Sequence, residues 1–290
     1  MLIEGKEVIV TGKHLKVAHL KNEWYEDIGD PEVFVNYLKS NKVKADIFTF
    51  WQRLPQSRPM YKYQLDWISI AALPIKNYDY WFTNVIDCKE RNLVRKAEKK
   101  GVELKKNEFN DDFINGVVEI FNESPIRQGR PFMHYGMDAN AVRKFFTPSI
   151  YQEDIVGAYS GNELIGFITI AYTNNYAMLT QILSKFAHRD KSPNNALIAK
   201  AVEICTEKKI PHLAYAFWAR GLIADFKKNN GFERILLPHY FIPLNAWGTF
   251  ILKMSLQGGI NSILPEKLVL HLMSIREQWY KFKYPQYKEF

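Results

Sequence analysis

Two segments of the chain carry the residue types that could do chemistry. Residues 187–197 read Ala-His-Arg-Asp-Lys-Ser-Pro-Asn-Asn-Ala-Leu. Arg189 and Lys191 lead into a helix that Ser192 can N-cap and Pro193 can begin. The N–H groups of Asn194, Asn195 and Ala196 would then share the positive helix end with two full charges, which is the chemistry of an anion site. The second segment, 123–136, has no helical or strand period and holds Arg127, Gln128, Arg130, His134 and Tyr135. Arginines suit a carboxylate or phosphate, and a histidine with a pKa near 6.5 can take a proton from an attacking amine.

The elements that must position these groups follow from periodicity. Alternation predicts strands over 7–11 and 15–20, and β-forming runs predict strands over 45–53 and 65–73. Asp30-Pro31 opens a helix through Leu38. Helical spacing of Trp81, Val85, Cys88, Leu93 and Ala97 predicts one helix over 77–100, closed by Gly101. A strand begins at Val102, Asn110 or Asp111 caps a helix through Phe121, and residues 138–146 form another. Strands over 155–159, 164–172 and 177–184 make an antiparallel meander, followed by a helix (193–208), a strand (213–217), a helix (222–229) and a strand region (233–243). Two amphipathic helices broken at Gly258-Gly259 complete the chain. The fold class is α/β (α+β), a mixed and mostly antiparallel sheet flanked by helices.

With 290 residues, 47% of them apolar and 14% aromatic, the chain can bury a substantial core. There is no run of about 18 apolar residues and no charged-then-apolar start, so a cytoplasmic protein without a membrane span is expected. Cys88 and Cys205 lie far apart without metal-type spacing, and both are expected as core thiols; no metal site is expected. The formal charge of +8 gathers at Lys89, Arg91, Arg95, Lys96, Lys99, Lys100, Lys105 and Lys106. The segment 89–106 is either a solvated helix face or a site for a polyanion such as nucleic acid. No Gly-x-Ser-x-Gly elbow, Walker loop, His-Glu-x-x-His motif or dinucleotide glycine fingerprint occurs.

The order meander, helix, strand, helix, strand over 102–244, with Phe226-Lys-Lys-Asn-Asn-Gly-Phe232 at its late helix, resembles the GNAT superfamily of acyl-CoA N-acyltransferases. The run Arg91-Asn-Leu-Val-Arg-Lys-Ala-Glu-Lys-Lys-Gly-Val102 is similar to the helix before the second half of the Fem-type aminoacyltransferase branch. The resemblance implies a degenerate first half over 1–100, an acyltransferase domain over 101–245 and a helical extension over 246–290. It implies that Gln181, Ile182, Leu183 and Ser184 receive a pantetheine arm and that the loop through Arg189, Lys191, Ser192, Asn194, Asn195 and Ala196 holds a pyrophosphate. Acetyl-CoA or another acyl-CoA is then the donor and an amine the acceptor. The loop carrying Arg127, Gln128, Arg130 and Tyr135 would close over the acceptor, with His134 as base. Lys227 occupies the position where many members place a tyrosine acid. The expected function is N-acyl or aminoacyl transfer; the alternatives are a nucleic-acid-dependent member, with charged tRNA or a base as substrate, and a non-catalytic binding module.

Overall fold

The computed structural model describes residues 1–146, 153–173, 175–218, 221–257 and 266–284. The chain forms two compact units, one of residues 1–70 and 235–269 and one of 71–234 and 270–290. These boundaries differ from the expected divisions at 100 and 245. Two of them fall inside long strands, over 64–74 and 233–243, and the third inside the helix over 266–283, where sequence composition marks no linker.

In chain order the first unit begins with β1 (Leu2–Ile3), β2 (Lys6–Thr11), β3 (Val17–Leu20), α1 (Pro31–Ser40), β4 (Ile47–Trp51) and β5 (Gln64–Pro74). Asp30 caps α1 by accepting from the Glu32 N–H, and Pro31 supplies the preset φ of the first turn. Phe34, Val35 and Leu38 recur at helical spacing and are buried against Phe48, Phe50 and Tyr240, with the Phe34 and Phe48 rings stacked at 5.7 Å. β1, β2 and β3 pair antiparallel, and β3 runs parallel to β4.

The second unit contains α2 (Cys88–Lys99), β6 (Val102–Asn107), α3 (Asp111–Asn122), the hairpin β7 (Ile126–Arg127) and β8 (Arg130–Pro131), α4 (Ala139–Phe146), β9 (Glu153–Ser160), β10 (Glu163–Tyr172), β11 (Ala177–Ser184), α5 (Pro193–Glu207), β12 (His212–Phe217) and α6 (Leu222–Asn229). Strand β13 (Glu233–Pro243) leads back to the first unit, where it pairs antiparallel with β4 and is followed by α7 (Ala246–Lys253); α8 (Glu266–Lys283) comes last. The sheet order in the second unit is β12-β11-β10-β9-β6, antiparallel except for β11 and β12. Neighbouring residues of β10 face opposite ways: Ile168 joins the α5 core with Leu197, Ala201 and Val202, whereas Phe167 joins Phe113, Val117 and Phe121 of α3.

Three expectations are corrected. The helix predicted over 77–100 is broken. Trp81–Val85 winds as a π turn, Ile86 leaves the helix at ψ 137°, and Asp87 starts α2 by accepting from the Lys89 N–H. Apolar spacing continued through this break because both pieces bury the same side. Cys88 is exposed, since it lies at the first position of the new helix, while Cys205 is buried. Ser192 stands before α5 in the left-handed conformation (φ 55°, ψ 45°) and its hydroxyl makes no capping bond. The expected break at Gly258-Gly259 lies outside the described residues.

Candidate active site

The site is built from the diverging ends of β11 and β12. Pairing holds only at Ala177 with Leu213 and Met178 with Ala214. Beyond Met178, β11 is zipped to β10 on one side and, among the described residues, has no strand partner on the other. Its register against β10 slips at Thr180: Thr169 faces Gln181 and Ile170 faces Leu179, so Thr180 is an extra, bulged residue. The Thr180 hydroxyl meets the Thr169 hydroxyl at 2.5 Å.

β12 departs through Ala216, a non-glycine residue at φ 50° inside a strand. Lys227 of α6 braces this departure. Its ammonium donates to the Tyr215 carbonyl (2.6 Å) and the Phe217 carbonyl (2.8 Å), which flank Ala216, and lies 4.2 Å from the Tyr215 ring centre. Lys227 is only 3% exposed, and burial pulls its pKa down to about 8. α6 ends where Gly231 takes φ 88°; a Cβ there would come within 2.5 Å of Val85 Cγ1.

The structure scatters the other expected residues. His134 is 5% exposed and enclosed by Phe121, stacked at 4.7 Å, Phe145 and Phe132. Its Nδ1 has no hydrogen-bond partner, and burial holds its pKa below the ordinary value. His134 and Lys227 share no neighbour in these contacts. The structure thus places the expected base in a packed setting: His134 and Phe132 both turn into the aromatic cluster of α3 and α4, which the loop's irregular backbone concealed. Arg127 is buried as well, donating to the carbonyls of Ser184 (2.9 Å) and Ile120 (2.8 Å) and to Glu123 (3.1 Å). It anchors the loop to the end of β11 rather than standing open to substrate. Gln128 and Gly129, both left-handed, make the turn of the β7–β8 hairpin, and Gln128, Arg130 and Tyr135 are exposed.

At the expected anion site the groups already have partners within the chain. The N–H groups of Asn195 and Ala196 turn back to the Ser192 carbonyl at 3.2 and 3.4 Å. The Asn195 side chain donates to Glu90 of α2 at 2.5 Å, and Asn229 reaches the same carboxylate at 3.4 Å. Glu90 is 5% exposed, so a buried negative charge stands at the first turn of α5, where a pyrophosphate was expected. Lys191 donates to Ser160, and Arg189 lies 4.4 Å over the Phe186 ring. The N–H groups of Phe186 and Ala187 donate to Glu123 at 2.6 and 2.9 Å.

Sequence reasoning overlooked Glu90, Glu123, Thr180 and Ala216. Glu90 alone left a signal, since Val94 and Ala97 follow it at four and seven positions and place it on the buried stripe of a basic helix.

No family model and no curated protein matches the sequence. Among solved structures, the chain is similar to the C-terminal domain of a proposed lysylphosphatidylglycerol synthetase from Agrobacterium fabrum (TM-score 0.59, 10% identity, covering 88% of this chain and 87% of that one). It is similar to L-PGS from Bacillus licheniformis (0.54, 15%, 88% and 87%) and to FemX (0.54, 10%, 80% and 83%). Among the described residues no helix is long and apolar enough to cross a membrane. With the antiparallel meander, the parting of β11 from β12 and the late helix ending at Gly231-Phe232, the chain has a GNAT-like fold of the Fem type.

Proposed function

We propose that this chain is an acyltransferase that moves an acyl or aminoacyl group from an activated donor to an amine, with the reactive carbonyl held between β11 and β12. The observation that carries the reading is the divergence of these strands after two paired positions, beside the Thr180 bulge. A strand edge released from its neighbour offers preorganised N–H donors to an oxyanion. The neutral amine attacks the carbonyl carbon and a C–N bond forms; collapse of the oxyanion then breaks the bond to the leaving group, and the surplus amine proton balances the leaving anion. Lys227, with its pKa near 8, is suited to deliver that proton to a thiolate or alkoxide. Gln128, Arg130 and Tyr135 are exposed polar groups of the acceptor loop and are proposed to meet the acceptor.

An acyl-CoA fits this site in part. The β11 edge at Gln181, Ile182, Leu183 and Ser184 suits a pantetheine arm, but Glu90 opposes a pyrophosphate at α5. That disagreement favours a second reading, in which a nucleic acid carries the aminoacyl group. The exposed face of α2 with Lys89, Arg95, Lys96, Lys99 and Lys100, continued by Lys105 and Lys106 of β6, suits its phosphates. Amide formation from acetyl-CoA and from aminoacyl-tRNA, tested over a panel of amines, discriminates the donors. Turnover with one donor that Lys227→Met abolishes supports transfer. A folded wild-type protein inactive with both is the non-catalytic module.

A further inference from the structure

The first unit contains an open groove of about 620 Å³ that none of the transfer chemistry uses. Lys16, Lys39, Lys42 and Lys44 line it, together with His14 and Trp247. Among the described residues, none of the four ammonium groups has a carboxylate within ion-pair distance. The single acid of the lining, Asp46, is held in the groove wall, its oxygens accepting from the Lys16 N–H (2.8 Å) and from Asn245 Nδ2 (2.8 Å), and its charge offsets only one of the four ammonium groups. Four like charges around one groove raise its potential and favour an anion.

The backbone under the groove is arranged compatibly. α1 ends with the Lys42 N–H on the Lys39 carbonyl and the Val43 N–H on the Leu38 carbonyl, so these terminal carbonyls are turned inward to backbone donors. Lys42 occupies the left-handed position of this cap at φ 49°, where glycine would fit with less strain. A lysine held there contributes its charge to the groove. Trp247, also in the lining and 49% exposed, is backed by Phe250 with the rings stacked at 5.5 Å and 16°. A backed and half-exposed indole is a platform for a planar ring.

We propose that this groove binds a nucleoside polyphosphate, with phosphates among Lys16, Lys39, Lys42 and Lys44 and the base on Trp247. The same chemistry is offered by a free nucleotide and by the end of a nucleic acid strand. The site lies wholly within the first unit and does not depend on the transfer reading.

Calorimetric titration of the full chain with ADP, pyrophosphate, adenosine and a short single-stranded RNA tests it. ADP is expected to bind at least tenfold more tightly than adenosine, and to weaken steeply as salt is raised. The double variant Lys42→Glu and Lys44→Glu should lose at least tenfold for ADP, whereas Trp247→Ala should weaken ADP and leave pyrophosphate unchanged. RNA binding far tighter than ADP, lost in the same variants, assigns the ligand to a strand end. Lack of binding by both ADP and RNA at millimolar concentration overturns the proposal. So does nucleotide or RNA affinity unchanged in variants that keep the wild-type circular dichroism, or binding confined to anionic phosphatidylglycerol vesicles.

Discussion

The Lys227 ammonium stands 4.2 Å from the centre of the Tyr215 ring and donates a 2.6 Å hydrogen bond to the carbonyl of the same residue. With its second bond, to Phe217, it satisfies the two carbonyls exposed by the left-handed turn at Ala216. A family position expected to hold an acid therefore also holds the strand that shapes the cleft.

Lys227→Met keeps the volume and removes both bonds. Leaving buried carbonyls without donors should cost about 2 kcal/mol, read as a lower urea midpoint. Amides around Tyr215 should exchange faster if the bonds hold the strand; unchanged exchange would contradict the bracing role.

The same residue sets a pH signature. Its pKa is depressed in the folded state to about 8 from an ordinary 10.5, so between those values the unfolded chain binds more protons and stability rises with pH. Lys227→Met lacks this rise. The stability gap between wild type and variant should widen from pH 8 to pH 10 in paired melting curves, and a constant gap would sink the assignment.

His134 is kept neutral by burial, and its folded pKa lies below the ordinary 6.5. Below about pH 6.5 the unfolded state gains a proton that the folded state resists, so stability falls as pH falls. His134→Phe suits the aromatic enclosure. It should flatten part of the stability loss between pH 7 and pH 5 while retaining transfer activity; His212 and His239, also depressed by burial, contribute in the same direction. Activity abolished in a folded His134→Phe protein would restore the histidine as a catalytic group.

Glu90→Gln preserves an acceptor for Asn195 and removes the charge at the start of α5. Pyrophosphate and acetyl-CoA should then bind several-fold more tightly in calorimetry, because the helix end is no longer opposed by a carboxylate. Unchanged affinity would mean that charge is not what excludes a phosphate there.

Gly231→Ala places a methyl group 2.5 Å from Val85 Cγ1 at a backbone angle of φ 88°. Strain and overlap together should cost about 2 kcal/mol, measured by chemical denaturation. A neutral effect would show that the π turn yields readily.

The sequence by itself determined the order of the longer elements, including α6 and β13 at their observed limits, because period, caps and glycines act over a few residues; the two-residue strands β1, β7 and β8 and the break after Val85 left no such signal. The Asp30 cap formed as read, and of the two candidates Asn110 and Asp111 it is Asn110 that caps, for the same local reason. The pantetheine edge at Gln181–Ser184 was reachable only through the family resemblance, and the departure of β12 through Ala216 was not legible at all: a left-handed alanine is held by Lys227, eleven residues away and on another element. Tertiary packing alone decided the fate of the chemical groups. It turned His134 into an aromatic cluster, spent Arg127 on backbone carbonyls and set Glu90 before the helix end that appeared open to anions. Charge and side-chain type are written in the sequence, whereas burial and partnership depend on elements distant along the chain.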